Sequence, residues 1–121
     1  MLFGDPYKKG QEILLTNDLE KLRKLSSKVL TSVSQKTGLS LFHYFILNSK
    51  KLTLDLAQTL GIFLKGGVNI NGQASKSNGF YSALHFAVGY PENFELSKLL
   101  VEHGIDLRLR DIYGNTAFWN A

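Results

Sequence analysis

Tyr81-Ser-Ala-Leu-His-Phe-Ala87 and Leu99-Leu-Val-Glu-His-Gly104 are the two stretches that decide how this chain folds. The first places a hydroxyl residue, Ser82, ahead of a large apolar residue, Leu84, and a ring, His85. A serine there can accept from the free N–H groups of a helix start, worth ~1 kcal/mol. The second is an apolar helix end halted by Gly104, which suits the left-handed position that closes helices because no Cβ clashes there. Between them, Pro91 in Gly89-Tyr-Pro-Glu-Asn-Phe94 cannot continue one helix but tolerates the start of another. The pattern predicts a helix over 82–88 and a partner over 94–101. The apolar residues of that partner are Phe94, Leu96, Leu99, Leu100 and Val101.

Both signatures recur along the chain. Gly38-Leu-Ser-Leu-Phe-His-Tyr-Phe45 and Gly114-Asn-Thr-Ala-Phe-Trp-Asn-Ala121 align with the first, putting Ser40 and Thr116 opposite Ser82 and His43 and Trp119 opposite His85. His43 and His85 lie 42 residues apart, and His85 and Trp119 lie 34 apart. Leu64-Lys-Gly-Gly-Val-Asn-Ile-Asn71 aligns with Val101-Glu-His-Gly-Ile-Asp-Leu-Arg108, so Gly67 matches Gly104. Asp111-Ile-Tyr-Gly114 is a tight-turn sequence with glycine at its end. A short helix with one apolar stripe cannot bury that stripe alone, so such pairs lean on their neighbours and share a continuous core.

With these residues in register, the chain resembles the ankyrin repeat family. Ser82-Ala-Leu-His-Phe-Ala87 stands at the family's helix-opening motif, and Leu99-Leu-Val-Glu-His-Gly104 at the end of its second helix. The resemblance covers residues 38–121, and more weakly the start. It implies an all-α, ankyrin-type helical solenoid in a single domain over 1–121: a degenerate N-terminal repeat (5–37), repeats over 38–78 and 79–113, and a partial repeat over 114–121. The first full repeat departs from the family. Leu41 and Phe45 are larger than the usual small residues, and extra residues fall around Asn48–Asp55 and in the polar stretch Gly72–Asn78. In the N-terminal third, Ile13, Leu14 and Leu15 precede Asn17-Asp18, which can cap a helix carrying Leu19, Leu22 and Leu25. Ala117, Phe118, Trp119 and Ala121 leave an apolar flank. The expectation there is a truncated array or an end covered by another molecule.

Composition narrows function. A chain of 121 residues with 44% apolar and 20% charged residues can bury a core without staples. Zero cysteines remove disulfides, thiol nucleophiles and thiolate zinc sites. The N-terminus lacks the apolar run of a signal peptide, which gives a cytoplasmic expectation. The net charge of +4 is uneven, with +5 over residues 1–51 and −1 over the rest. Lys8, Lys9, Lys21, Arg23, Lys24 and Lys28 are a solvated helix flank rather than a nucleic-acid site.

No catalytic motif appears. His43 and His85, at equivalent positions, are expected to bond the turn of their own repeat, and His103 suits a helix C-terminus. No histidine pair has metal-ligand spacing, and Glu92 and Glu95 lie at a solvated helix start. The expectation is a non-enzyme with no cofactor and no metal. In ankyrin-like stacks partners sit on the concave face of hairpin tips and first helices. Matching positions here are Lys36, Thr37, Leu39 and Asn48; Asn78, Tyr81 and Tyr90; and Arg110, Ile112, Tyr113 and Asn115. Tyrosine and arginine anchor interfaces well. The resemblance therefore implies a protein-binding scaffold, monomeric unless its C-terminal end self-associates. The alternative is an immunity- or inhibitor-type protein that blocks a toxic enzyme.

Overall fold

Side-chain caps start the helices. In the computed structural model, which describes residues 4–89 and 92–118, Asp5 accepts from the Tyr7 N–H at 2.9 Å and Pro6 opens helix α1 (Pro6–Leu15). Asp18 caps α2 (Leu19–Arg23) and Ser26 caps α3 (Ser27–Leu30). Ser40 accepts from the His43 N–H at 3.0 Å to open α4 (Leu41–Leu47), and Asp55 opens α5 (Leu56–Lys65). Ser82 accepts from the His85 N–H at 3.3 Å for α6 (Ala83–Gly89), and Asn93 caps α7 (Phe94–Glu102). Pro91, Trp119 and Ala121 lie outside the described residues.

The second helix of each later pair ends in the same way. Gly67 and Gly104 both take left-handed backbone, at φ +101° and +85°. The Gly67 N–H bonds the Leu64 carbonyl and the Val68 N–H bonds that of Phe63; Gly104 with Val101 and Ile105 with Leu100 repeat the pattern. This is the two-bond Schellman closure, which needs glycine at its left-handed residue.

The helices lie in two rows. Helices α1, α4 and α6 pack in sequence as one row, and α2, α5 and α7 as the other, with α3 wedged against α1 and α4. The core runs between the rows as one cluster that includes Leu14, Leu22, Leu41, Phe45, Leu60, Phe63, Leu84, Leu96 and Leu100. Phe63 sits 5.5 Å, ring to ring, from both Phe42 and Phe45. The described residues are thus all-helical apart from turns, one 3₁₀ turn (Lys76–Asn78) and two isolated bridges. No helix among them is long and apolar enough to cross a membrane.

Short hairpins precede the first-row helices. Val33 bridges Ser40 ahead of α4, and Gln73 bridges Ser82 ahead of α6. Inside them, Ser34 N–H bonds the Leu39 carbonyl and Ala74 N–H that of Tyr81, both at 2.8 Å. A third turn follows α7, closed by Asp111 N–H to the Asn115 carbonyl at 2.9 Å.

Two expectations change in detail. Leu19–Leu25 does not form one helix, because Ser26 accepts from the Val29 N–H at 3.3 Å and starts α3 anew. On α7 only Leu96 and Leu100 are fully buried, whereas Phe94 is 72% and Val101 41% exposed. Pairing against α5 and α6 covers one narrow side of α7, not the whole apolar set.

Candidate protein-binding face

The histidines are committed to structure. His43 Nε2 donates to the Gly72 carbonyl at 3.2 Å, and His85 Nε2 to the Asn115 carbonyl at 2.8 Å. Each therefore reaches from its helix to the following turn. His85 also joins its own turn, with Nδ1 2.7 Å from Ser82 Oγ. The expected bond within the repeat is present for His85, but the bond shared by both rings is the one to the next unit. His43 Nδ1 is buried without a partner, and burial pulls its pKa down from 6.5 to about 4, opposed by the Gly72 bond. His103 Nδ1 donates to the Leu99 carbonyl at 2.8 Å, at the negative end of α7.

The turns are stitched together side by side. Asn78 Nδ2 donates to the Thr37 carbonyl at 2.6 Å, tying the second hairpin to the first. Gln73 Nε2 donates to the Phe80 carbonyl at 2.8 Å and to the Arg110 carbonyl at 2.7 Å, and Ile112 N–H donates to the Gly79 carbonyl at 2.8 Å. These bonds tie the third turn to the second. Asp111 is buried, and its Oδ1 accepts from the N–H groups of Tyr113 (2.9 Å) and Asn115 (3.0 Å), which fixes the shape of that turn.

Above this stitching lies an apolar strip. Val33 is 54%, Phe80 40%, Ile112 40% and Tyr113 80% exposed. Phe80 is held at φ +54°, a left-handed conformation that bulky residues avoid.

Of the residues expected to bind, Lys36, Thr37, Arg110, Ile112 and Tyr113 are exposed along this row, with Leu39, Asn78 and Asn115 half-buried among them. Tyr81 is half-buried. Its ring stacks on His85 at 5.5 Å with 4° between planes and meets Phe86 edge-on at 5.4 Å. One side of it lines a groove of about 340 Å³ with Leu47, Val88 and Ala117. Asn48 is not in the row: it caps the far end of α4, where its amide donates to the Tyr44 carbonyl at 2.9 Å. Tyr90 lies outside the described residues.

No family model matches the sequence, and no curated protein matches it.

Sequence reasoning passed over Val33, Gln73, Lys76 and Phe80. One signal was available for Phe80, the first of two adjacent aromatics, Phe80-Tyr81, that follow the polar stretch Gly72–Asn78 after Gly79. No such signal marks Gln73, whose importance comes from a carbonyl in the next turn. Among the described residues, no group of three or more His, Asp or Glu side chains gathers where a metal could sit.

Proposed function

We propose that this chain is an ankyrin-type stack that binds a protein partner, without catalysis, through the row of hairpin tips. Two packed rows of helices, Schellman closures at matching glycines and histidines that reach the following turn support the ankyrin-type assignment. One observation carries the binding assignment. Tips linked by Asn78–Thr37, Gln73–Arg110 and Ile112–Gly79 hydrogen bonds hold Phe80, Ile112 and Tyr113 exposed. A surface already fixed by its own bonds loses little conformational freedom on association, so more of the contact energy appears as affinity. Exposed aromatic side chains in such a place are the residue type that anchors interfaces.

The mechanism is occupation of a partner's surface. Affinity capture from a native lysate tests it, using the wild-type chain, a tip variant (Ile112→Ser with Tyr113→Ala) and a control altered on the second row (Phe94→Ser). The expected result is a specific partner retained by wild type and control and lost by the tip variant. A partner lost with Phe94→Ser and kept by the tip variant would move the binding face to the second row. A captured enzyme silenced by the pure chain would make the protein an inhibitor by the same surface.

A further inference from the structure

The hairpin row carries charge of one sign. Across 33–40, 73–82 and 110–116 the exposed charged side chains are Lys36, Lys76 and Arg110, and the one carboxylate, Asp111, is buried and occupied by the N–H groups of Tyr113 and Asn115. The ion pairs among the described residues join Arg23 to Glu20 and Arg108 to Asp106, so the three tip cations are unpaired there. Arg110 spends one donor on the Gly114 carbonyl at 2.7 Å, leaving most of its fork for another group. Each of the three turns that carries a cation also exposes an apolar side chain: Val33, Phe80 or Ile112.

We infer that the partner presents an acidic, extended segment, with carboxylates for Lys36, Lys76 and Arg110 and apolar side chains for Phe80, Ile112 and Tyr113. This rests on the protein-binding function proposed above. Lys36 and Lys76 hold matching places, each two residues past the N–H that closes its turn (Ser34, Ala74). Neighbouring helices pack about 8–10 Å apart, so these two cations recur at about that distance. Arg110 stands at the base of the third turn, one residue before Asp111. Extended chain advances about 3.3 Å per residue, so every third residue of the segment meets the next cation. A nucleic acid fits less well. Phe80 and Tyr113 could stack on bases, but the exposed aliphatic Val33 and Ile112 beside them suit apolar side chains and give a base nothing to stack on. Charges about one Debye length apart act mainly on contact, so the cations select the partner's sequence more than they steer it from afar.

The test titrates the isotope-labelled full chain, followed by amide NMR. The probes are three synthetic peptides of equal length: glutamate at every third position with leucine and phenylalanine between, the same with glutamine, and the same with lysine. Oligothymidylate is a fourth probe. The glutamate peptide should shift the amides of Lys36, Lys76, Phe80, Ile112 and Tyr113 and bind about tenfold tighter than the glutamine peptide. Lys36→Glu, Lys76→Glu and Arg110→Glu together should reverse that order in favour of the lysine peptide, with the spectrum reporting that the fold is kept. Equal binding of the glutamate and glutamine peptides at these amides would overturn the charge selection and leave the hairpin face as a protein-binding surface. Tighter binding of oligothymidylate would overturn it in favour of a nucleic acid. If no peptide moves the hairpin amides, the binding face and its charge selection both fall.

Discussion

Acid should unfold this protein through one ring. His43 is 4% exposed, with its ring 5.9 Å from that of Phe42 and 5.2 Å from that of Phe86. The small cavity beside it, about 190 Å³, is lined by residues such as Leu30, Val68 and Asn69, none ionisable. Protonation adds a charge to this buried ring, with no ionisable partner beside it, and a donor at Nδ1, which has no acceptor. Burial therefore lowers the pKa from 6.5 to about 4, and the Gly72 carbonyl opposes it only in part. Between those values the unfolded chain binds more protons than the folded one, so stability falls as pH falls. At 1.36 kcal/mol for each tenfold step, the loss is about 1.4 kcal/mol by pH 5.5 and about 3 kcal/mol by pH 4. Domains of this kind hold about 5–15 kcal/mol in total, so the loss is a large share. Urea unfolding followed by far-ultraviolet circular dichroism, at pH 7, 5.5 and 4, measures it against His43→Phe. Phenylalanine fills the site between Phe42 and Phe86 and cannot titrate, while carboxylates titrate equally in both proteins and cancel in the difference. Wild type should lose about 3 kcal/mol more than the variant from pH 7 to pH 4. Equal losses would refute the buried, unpartnered ring as the origin of acid sensitivity.

Further substitutions separate local causes. Gly61 lies on the exposed side of α5 with open space where a Cβ would point, so Gly61→Ala should raise stability by about 0.5–1 kcal/mol in urea unfolding. The same change at Gly104, where space is also open but φ is +85°, should cost about 1–2 kcal/mol. Asn93 is buried, caps α7 through the Leu96 N–H at 3.1 Å and donates to Ser49 Oγ at 2.8 Å, so Asn93→Ala should cost about 2–3 kcal/mol. Tyr113→Ala should leave the melting temperature nearly unchanged, whereas Tyr81→Ala, which removes the stack on His85 and the edge contact to Phe86, should lower it by several degrees, about 4–8 °C per kcal/mol lost.

What could be read from the amino acids was what local chemistry dictates. Ser40, Ser82, Asp18, Gly67 and Gly104 act on backbone groups a few residues away, and each does so in the structure. The starts of α4 and α6 followed because Ser40 and Ser82 set them, whereas the start of α3 at Ser26 did not. What could not be read depends on distant partners. Phe94 and Leu100 belong to the same apolar pattern, yet one is 72% exposed and the other fully buried, because the packing side of α7 is chosen by α5 and α6. Tyr81 was grouped with Tyr113 by repeat position, but the stack on His85 half-buries one while the other stands free. Asn48, expected on a face of hairpin tips and first helices, caps the C-terminal end of α4, and the length of that helix sets it away from the tips.

Phe80 concentrates the tension between fold and surface. A left-handed conformation costs a non-glycine residue about 1–2 kcal/mol, and a phenylalanine there is still 40% exposed. Gly79, next to it, is also left-handed, at φ +73°, so the tip consists of two successive residues in this region. The Gln73 amide holds the Phe80 carbonyl and the Arg110 carbonyl together, and the Ile112 N–H holds that of Gly79. The strained conformation is therefore stabilised by the next turn and not by the hairpin alone. If that is correct, glycine at position 80 relieves the strain and keeps both bonds, because they use backbone atoms. Alanine loses the same ring and keeps the strain. Phe80→Gly should then be more stable than Phe80→Ala by about 1 kcal/mol, the reverse of the order in a helix. Both should weaken a partner that uses the apolar strip, and by similar factors, since neither retains the ring. Urea unfolding of the two variants decides the first point: alanine equal to or better than glycine would mean that the hairpin does not hold this residue left-handed, and that the tips are not stitched as described.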